Sequence, residues 1–71
     1  MLKTIEQLKK FRNGIKRKGL NVRFAKGHKH LGIKTKKGYW IVIPISDEIH
    51  NYLSQIADSK GVKGFDFVFL P

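Results

Sequence analysis

The sequence predicts an α+β domain of order α-β-β-β-α(-β): a three-stranded antiparallel meander packed on two helices, with an extra C-terminal strand. Three observations lead there. Apolar residues recur at helical spacing in two separate stretches, and between those stretches the apolar period falls to two. The period-two segments are joined by turns too short for a crossover, which makes neighbouring strands antiparallel. At 71 residues the chain reads as a single domain, 1–71. A domain of this size buries only about 60% of the surface its unfolded form exposes, so its core must be small.

Residues 3–18 read as the first helix, because Ile5, Leu8, Phe11 and Ile15 form one stripe with Leu2 at its edge. Thr4 supplies an N-cap, with Gln7 at the reciprocal position of a capping box. Gly14 costs this helix about 1 kcal/mol against Ala. Gly19 is a natural stop, and Lys16, Arg17 and Lys18 fall in the last turn, where the helix dipole favours cations. Leu20, Val22 and Phe24 then alternate with Asn21, Arg23 and Ala25, the pattern of a half-buried strand. Lys26-Gly27 makes a tight connection. Residues 28–36 alternate again, with Leu31, Ile33 and Thr35 sharing a face. Lys37-Gly38 makes the second turn, and Tyr39 to Ile45 form the third strand.

Ser46 followed by Asp47 and Glu48 is a helix start, a capping hydroxyl ahead of acids in the first turn. Ile49, Leu53 and Ile56, flanked by Tyr52 and Ala57, give the second helix its apolar face, and Gly61 closes it. His50 reads as a polar surface residue of this helix. The tail from Gly64 to Pro71 is apolar and aromatic, and residues 65–70 read as a fourth strand that ends at a proline unable to continue a ladder.

Several classes of function drop out. The absence of cysteine removes disulfides, thiolate zinc sites and cysteine nucleophiles, and suits a reducing cytoplasm. The longest apolar run, Tyr39 to Ile45, contains Pro44 and falls far short of the roughly 20 residues a membrane span needs. The opening MLKTIEQLKKF has no signal-peptide core. The expected location is therefore cytoplasmic, with no membrane partner. No P-loop, Ser-His-Asp set or pair of catalytic carboxylates is visible.

Charge points to a partner. The net charge is +10, and it is unevenly placed. Residues 1–40 hold thirteen basic side chains and the single acid Glu6, whereas residues 41–71 hold Lys60 and Lys63 against Asp47, Glu48, Asp58 and Asp66. One strongly basic half implies a polyanion-binding surface, since neutralising phosphates releases counterions and drives association. The expected partner is the phosphate backbone of RNA or DNA. The cations assigned to it are Arg23, Lys26, Lys29, Lys34 and Lys36, with Lys16 and Arg17 serving either phosphate or the helix dipole.

Strand parity collects a site. If Leu31 and Ile33 point inward, His28, His30 and Lys34 point outward together, and Arg23 joins them from the first strand. On the third strand Ile41, Ile43 and Ile45 form the inward set, leaving Trp40 and Val42 outward. Arg and Lys take phosphates, Trp stacks on a base and His shuttles protons, so this face suits nucleic acid. Trp40 covering the sheet or packing under the C-terminal strand is the alternative placement. Two histidines at i and i+2 form only a weak metal pair, and with no Cys or nearby carboxylate no metal and no cofactor is expected.

The succession of a helix, the turn Lys26-Gly27-His28-Lys29-His30, a basic strand, a strand ending in Ile41-Val42-Ile43-Pro44 and the helix 47–60 resembles the HicA-type mRNA interferase toxins. It also resembles small phage-encoded relatives of that fold. The similarity runs from about Ile5 to Gly61. It implies a fold like the double-stranded-RNA-binding domain, metal-independent endoribonuclease action within a toxin–antitoxin pair, and an antitoxin or host protein as partner. The family places its histidine two residues after the glycine. Here Lys29 stands there and histidines flank it, so either His28 (or His30) takes the catalytic role or the family's catalytic histidine is absent. The 2′-OH of RNA would be the nucleophile and a neutral imidazole its base, with Lys29, Lys34 or Arg23 stabilising charge on phosphorus.

Two other readings stand beside this one. A non-catalytic regulatory protein would use the same basic face without cleavage. A protein–protein module would use the tail Phe65-Asp66-Phe67-Val68-Phe69-Leu70 as an added strand, for a host protein or a homodimer.

Overall fold

The computed structural model describes residues 1–66 and contains helix α1 (Ile5–Lys18), strands β1 (Asn21–Ala25), β2 (His30–Lys34) and β3 (Trp40–Pro44), helix α2 (Asp47–Lys60) and strand β4 (Gly64–Asp66). The order is α-β-β-β-α-β, as expected. Both helices begin and end as their sequences dictate. The Gln7 amide donates to Thr4 Oγ1 at 3.1 Å while the Gln7 side chain accepts from the Thr4 amide, completing the capping box. The Ile49 amide donates to Ser46 Oγ at 3.3 Å. Gly19 and Gly61 take left-handed conformations, φ 68° and 69°, and their amides close the last turns.

The four strands form one antiparallel sheet ordered β3-β2-β1-β4. The meander β1-β2-β3 is local. β4 arrives from elsewhere: α2 carries the chain under the sheet from the β3 edge to the far side of β1, where Phe65 pairs with Phe24 and Asp66 with Arg23. Gly64 is required at that junction, because a Cβ there would lie 2.5 Å from the Phe24 carbonyl oxygen. The expected continuation of this strand through residue 70 lies outside the described residues.

One face of the sheet packs on the helices. Val22, Phe24, Leu31 and Ile33 meet Leu8 and Ile15 of α1, Ile49 and Leu53 of α2, and Ile45 in a core that contains no polar or charged residue among the described residues. Phe65 joins it with its ring 5.8 Å from that of Phe24. The N-terminus is tied to the same corner: Leu2 pairs in parallel fashion with Ile45, and Ser46 Oγ donates to the Lys3 carbonyl at 2.7 Å. No helix is long and apolar enough to cross a membrane among the described residues.

Two expectations need correction. Ile41 has inward parity but is 46% exposed, because β3 is an edge strand and the helices do not reach under its outer end. His50 is not simply surface polar. Its ring packs edge-on against Phe24 at 5.8 Å, and its Nε2–H donates to the Lys26 carbonyl at 2.8 Å.

Candidate nucleic-acid interface

The other face of the sheet is open, and strand alternation decides what stands on it. Arg23 and Ala25 of β1, His30, Gly32 and Lys34 of β2, and Trp40, Val42 and Pro44 of β3 all share outward parity. The register places Lys34 opposite Trp40, and Gly32 opposite both Val42 and Arg23. From Lys34 to His30 this surface runs about 13 Å along the strand.

Trp40 lies over the sheet. A Cβ on Gly32 would stand 3.1 Å from Trp40 Cε3 and 3.5 Å from Cζ3, so the indole rests by its six-membered ring above the only outward position on β2 with no side chain. This is the diagonal contact that a large ring makes across an antiparallel pair. Half of the residue remains exposed, at 49%. Trp40 is therefore on the outer face, and it covers the sheet over Gly32.

The histidines stand at the opposite end. Their ring centroids are 5.0 Å apart with the planes inclined by 46°, His28 exposed and His30 half-buried. Together with Arg23, Gly32, Trp40, Val42 and the backbone of β4 they line an open depression of about 540 Å³. Lys63, on the α2–β4 connection, lines the same depression. Sequence reading missed it, because a cation so distant in sequence reaches β1 only through the β4 pairing. Gly32 was also missed as a functional position, although a glycine inside a strand is itself a sign of close approach by another group.

The turn that carries the histidines is fastened to α2. Lys26 pairs with Asp58, and Lys29 Nζ lies 2.7 Å from Asp47 Oδ1. The Lys26 carbonyl accepts from His50, and the Lys29 carbonyl accepts from the Ile45 amide at 3.1 Å. The Lys26 amide donates to the Lys63 carbonyl at 2.9 Å, and the His28 amide to that of Ala25 at 3.0 Å. Through this turn the side chains part company: Lys26 and Lys29 go to the acids of α2, and His28 and His30 go to the open face. Both ion pairs are solvent-exposed, so each contributes little to stability, and their main effect is to direct the side chains. A hydrogen bond from Lys29, reinforced by its charge and more weakly by that of His50, lowers the pKa of Asp47 below the usual carboxylate value.

The remaining assigned cations divide between two surfaces. Arg23 and Lys34 stand on the open face and form no ion pair with a described residue, and the same is true of Lys63. Lys36 is exposed in the β2–β3 turn, at the end of the face nearest Trp40. Lys16 and Arg17 are elsewhere. With Lys10 and Asn13 they line a shallow groove on the solvent side of α1, across the core from the histidines. Among the described residues no group of three His, Cys, Asp or Glu side chains is placed to hold a metal ion.

Comparison with known proteins found no match: no family model, no curated protein and no solved structure aligns with this chain.

Proposed function

We propose that this chain is a small nucleic-acid-binding domain that takes RNA on the open face of its sheet. The observation that carries the reading is the composition of that face: Arg23, Lys34 and Lys63 without ion-pair partners among the described residues, beside an exposed indole and two imidazoles. Free cations beside an aromatic platform form the usual equipment for gripping a phosphate chain while stacking a base. The charge split of the sequence supports the same reading without any family argument.

The paired histidines support an additional activity, metal-independent RNA cleavage. Set side by side at 5.0 Å, the two rings can address neighbouring atoms of one phosphodiester. A neutral imidazole removes the 2′-OH proton, the 2′-oxygen attacks phosphorus, and the bond to the 5′-oxygen breaks as the second, protonated imidazole supplies a proton. The products are a 2′,3′-cyclic phosphate and a free 5′-OH, and Arg23 or Lys34 offsets charge on the phosphoryl oxygens. The resemblance to the HicA-type toxins suggests the same chemistry and an antitoxin as partner.

The test is incubation of the purified protein with labelled RNA and DNA, single- and double-stranded, at two salt concentrations, scoring both shift and cleavage. Salt-steep binding to RNA is expected. Cleavage should be confined to RNA, rise and fall with pH in a bell, and disappear in His28→Ala while binding persists. Binding without cleavage would leave a non-catalytic regulatory protein, and affinity that does not change with salt would sink the nucleic-acid reading itself.

A further inference from the structure

We infer that Trp40 is a stacking seat for an unpaired base, so that the ligand of the open face is single-stranded. This rests on the proposal that the face binds nucleic acid, and it adds which form is bound and which residues choose it. Four observations converge. The indole is supported on one side by the bare backbone of Gly32, and it is 49% exposed. Val42, its neighbour two residues along the same face, is 56% exposed and extends the apolar floor. Lys34 stands directly across from Trp40 in the β2–β3 register, and Arg23 across from Gly32 in the β1–β2 register. Neither cation forms an ion pair with a described residue.

An aromatic ring lying along a sheet can stack only on a base whose own face is free. In a duplex both faces of every internal base are covered by neighbours, and sequence-tolerant stacking on aromatics belongs to single strands. The spacing suits a chain that lays one base on Trp40 and passes its flanking phosphates to Lys34 and Arg23. A phosphate further along the strand then reaches His28 and His30, the place where cleavage chemistry would act. Gly32 is the specificity device. Any side chain there would enter the space the indole uses, since even its Cβ would stand 3.1 Å from Cε3.

Trp40 is the only tryptophan in the chain, so its emission reports on this one position. The experiment titrates the full protein at low salt with a uridine decamer, a thymidine decamer and a blunt, fully paired RNA duplex. It reads tryptophan fluorescence alongside the anisotropy of a label on the oligonucleotide. Both decamers should quench Trp40, and the duplex should bind with little quenching. Trp40→Ala should weaken decamer binding about tenfold, the order of one lost stacked base, and weaken duplex binding much less. Trp40→Phe should restore part of the loss. Gly32→Val, a residue that strands accommodate well, should reproduce the defect with the tryptophan still present. Circular dichroism checks that each variant is folded.

If the decamers bind by anisotropy while emission stays constant and Trp40→Ala binds equally well, the stacking seat is wrong and nucleic-acid binding stands. If no oligonucleotide changes the anisotropy at low salt, the functional reading has failed and the seat falls with it.

Discussion

The two faces of the sheet are built from the same four strands and have opposite compositions. The inner face presents Val22, Phe24, Leu31 and Ile33, each at most 6% exposed and surrounded by helix side chains. The outer face presents Arg23, His30, Lys34, Trp40 and Val42 to solvent or to one another. A period of two lets one short segment hold the fold with half of its residues and offer chemistry with the other half. Stability and the candidate binding surface are thus divided by parity.

That division can be broken from either side. The largest effect is expected on the inner face. Phe24→Ala should cost about 3–5 kcal/mol, a large part of the roughly 5–15 kcal/mol available to a small domain, and should bring the chain much closer to unfolding. Trp40→Ala, although it removes a bigger side chain, should cost only about 1 kcal/mol or less because that residue stands half in water. Urea titrations followed by far-ultraviolet circular dichroism compare the two, and equal losses would mean that the outer face carries the fold as well.

A smaller effect separates cations that are paired from those that are not. Lys34→Ala should lower the slope of log affinity against log salt by about 1 and weaken binding across all sequences. Lys29→Ala should change the slope by much less, since Asp47 already neutralises Lys29. Identical slopes for the two variants would show that the α2 acids release their lysines to a ligand.

The smallest effect is a matter of pH. Lys29 lowers the pKa of Asp47 in the folded protein, so the carboxylate contributes stability above its unfolded-state pKa. That contribution is lost as the pH falls through the lower, folded-state value. Both partners are exposed, so the effect is slight. Stability curves of the parent and Asp47→Asn should lie slightly apart at neutral pH and converge in acid below the carboxylate range. Curves that stay parallel throughout would show that the pair contributes nothing.

Much of the fold was legible because its determinants are local. The stripe Ile5, Leu8, Phe11 and Ile15, the caps at Thr4 and Ser46 and the alternation around Val22 and Leu31 each act within a few residues. The joint outward placement of His30, Lys34 and Arg23 follows from the same alternation, whereas His28 lies in the turn before β2, outside the strand expected from residue 28. What remained hidden depends on neighbours distant in sequence. Ile41 has core parity, but only the strand order shows that β3 is an edge. Lys26 and Lys29 look like free cations until α2 brings Asp58 and Asp47 beside them. Lys63 looks like a loop lysine until β4 docks on β1. His50 looks solvent-facing until the sheet places Phe24 and the Lys26 carbonyl against it.

The route of α2 beneath the sheet has a consequence in time as well as in space. The meander closes through short turns, whereas β4 can join β1 only after the helix has crossed the whole sheet. Loop closure over longer stretches costs more entropy, and non-local pairings tend to form slowly. The wall that β4 and Lys63 give to the depression is therefore expected to be among the last parts of the molecule to assemble. A nascent chain that stops short of Gly64 holds its histidines and its tryptophan but not the finished surface, so the depression is completed only once synthesis has passed that strand.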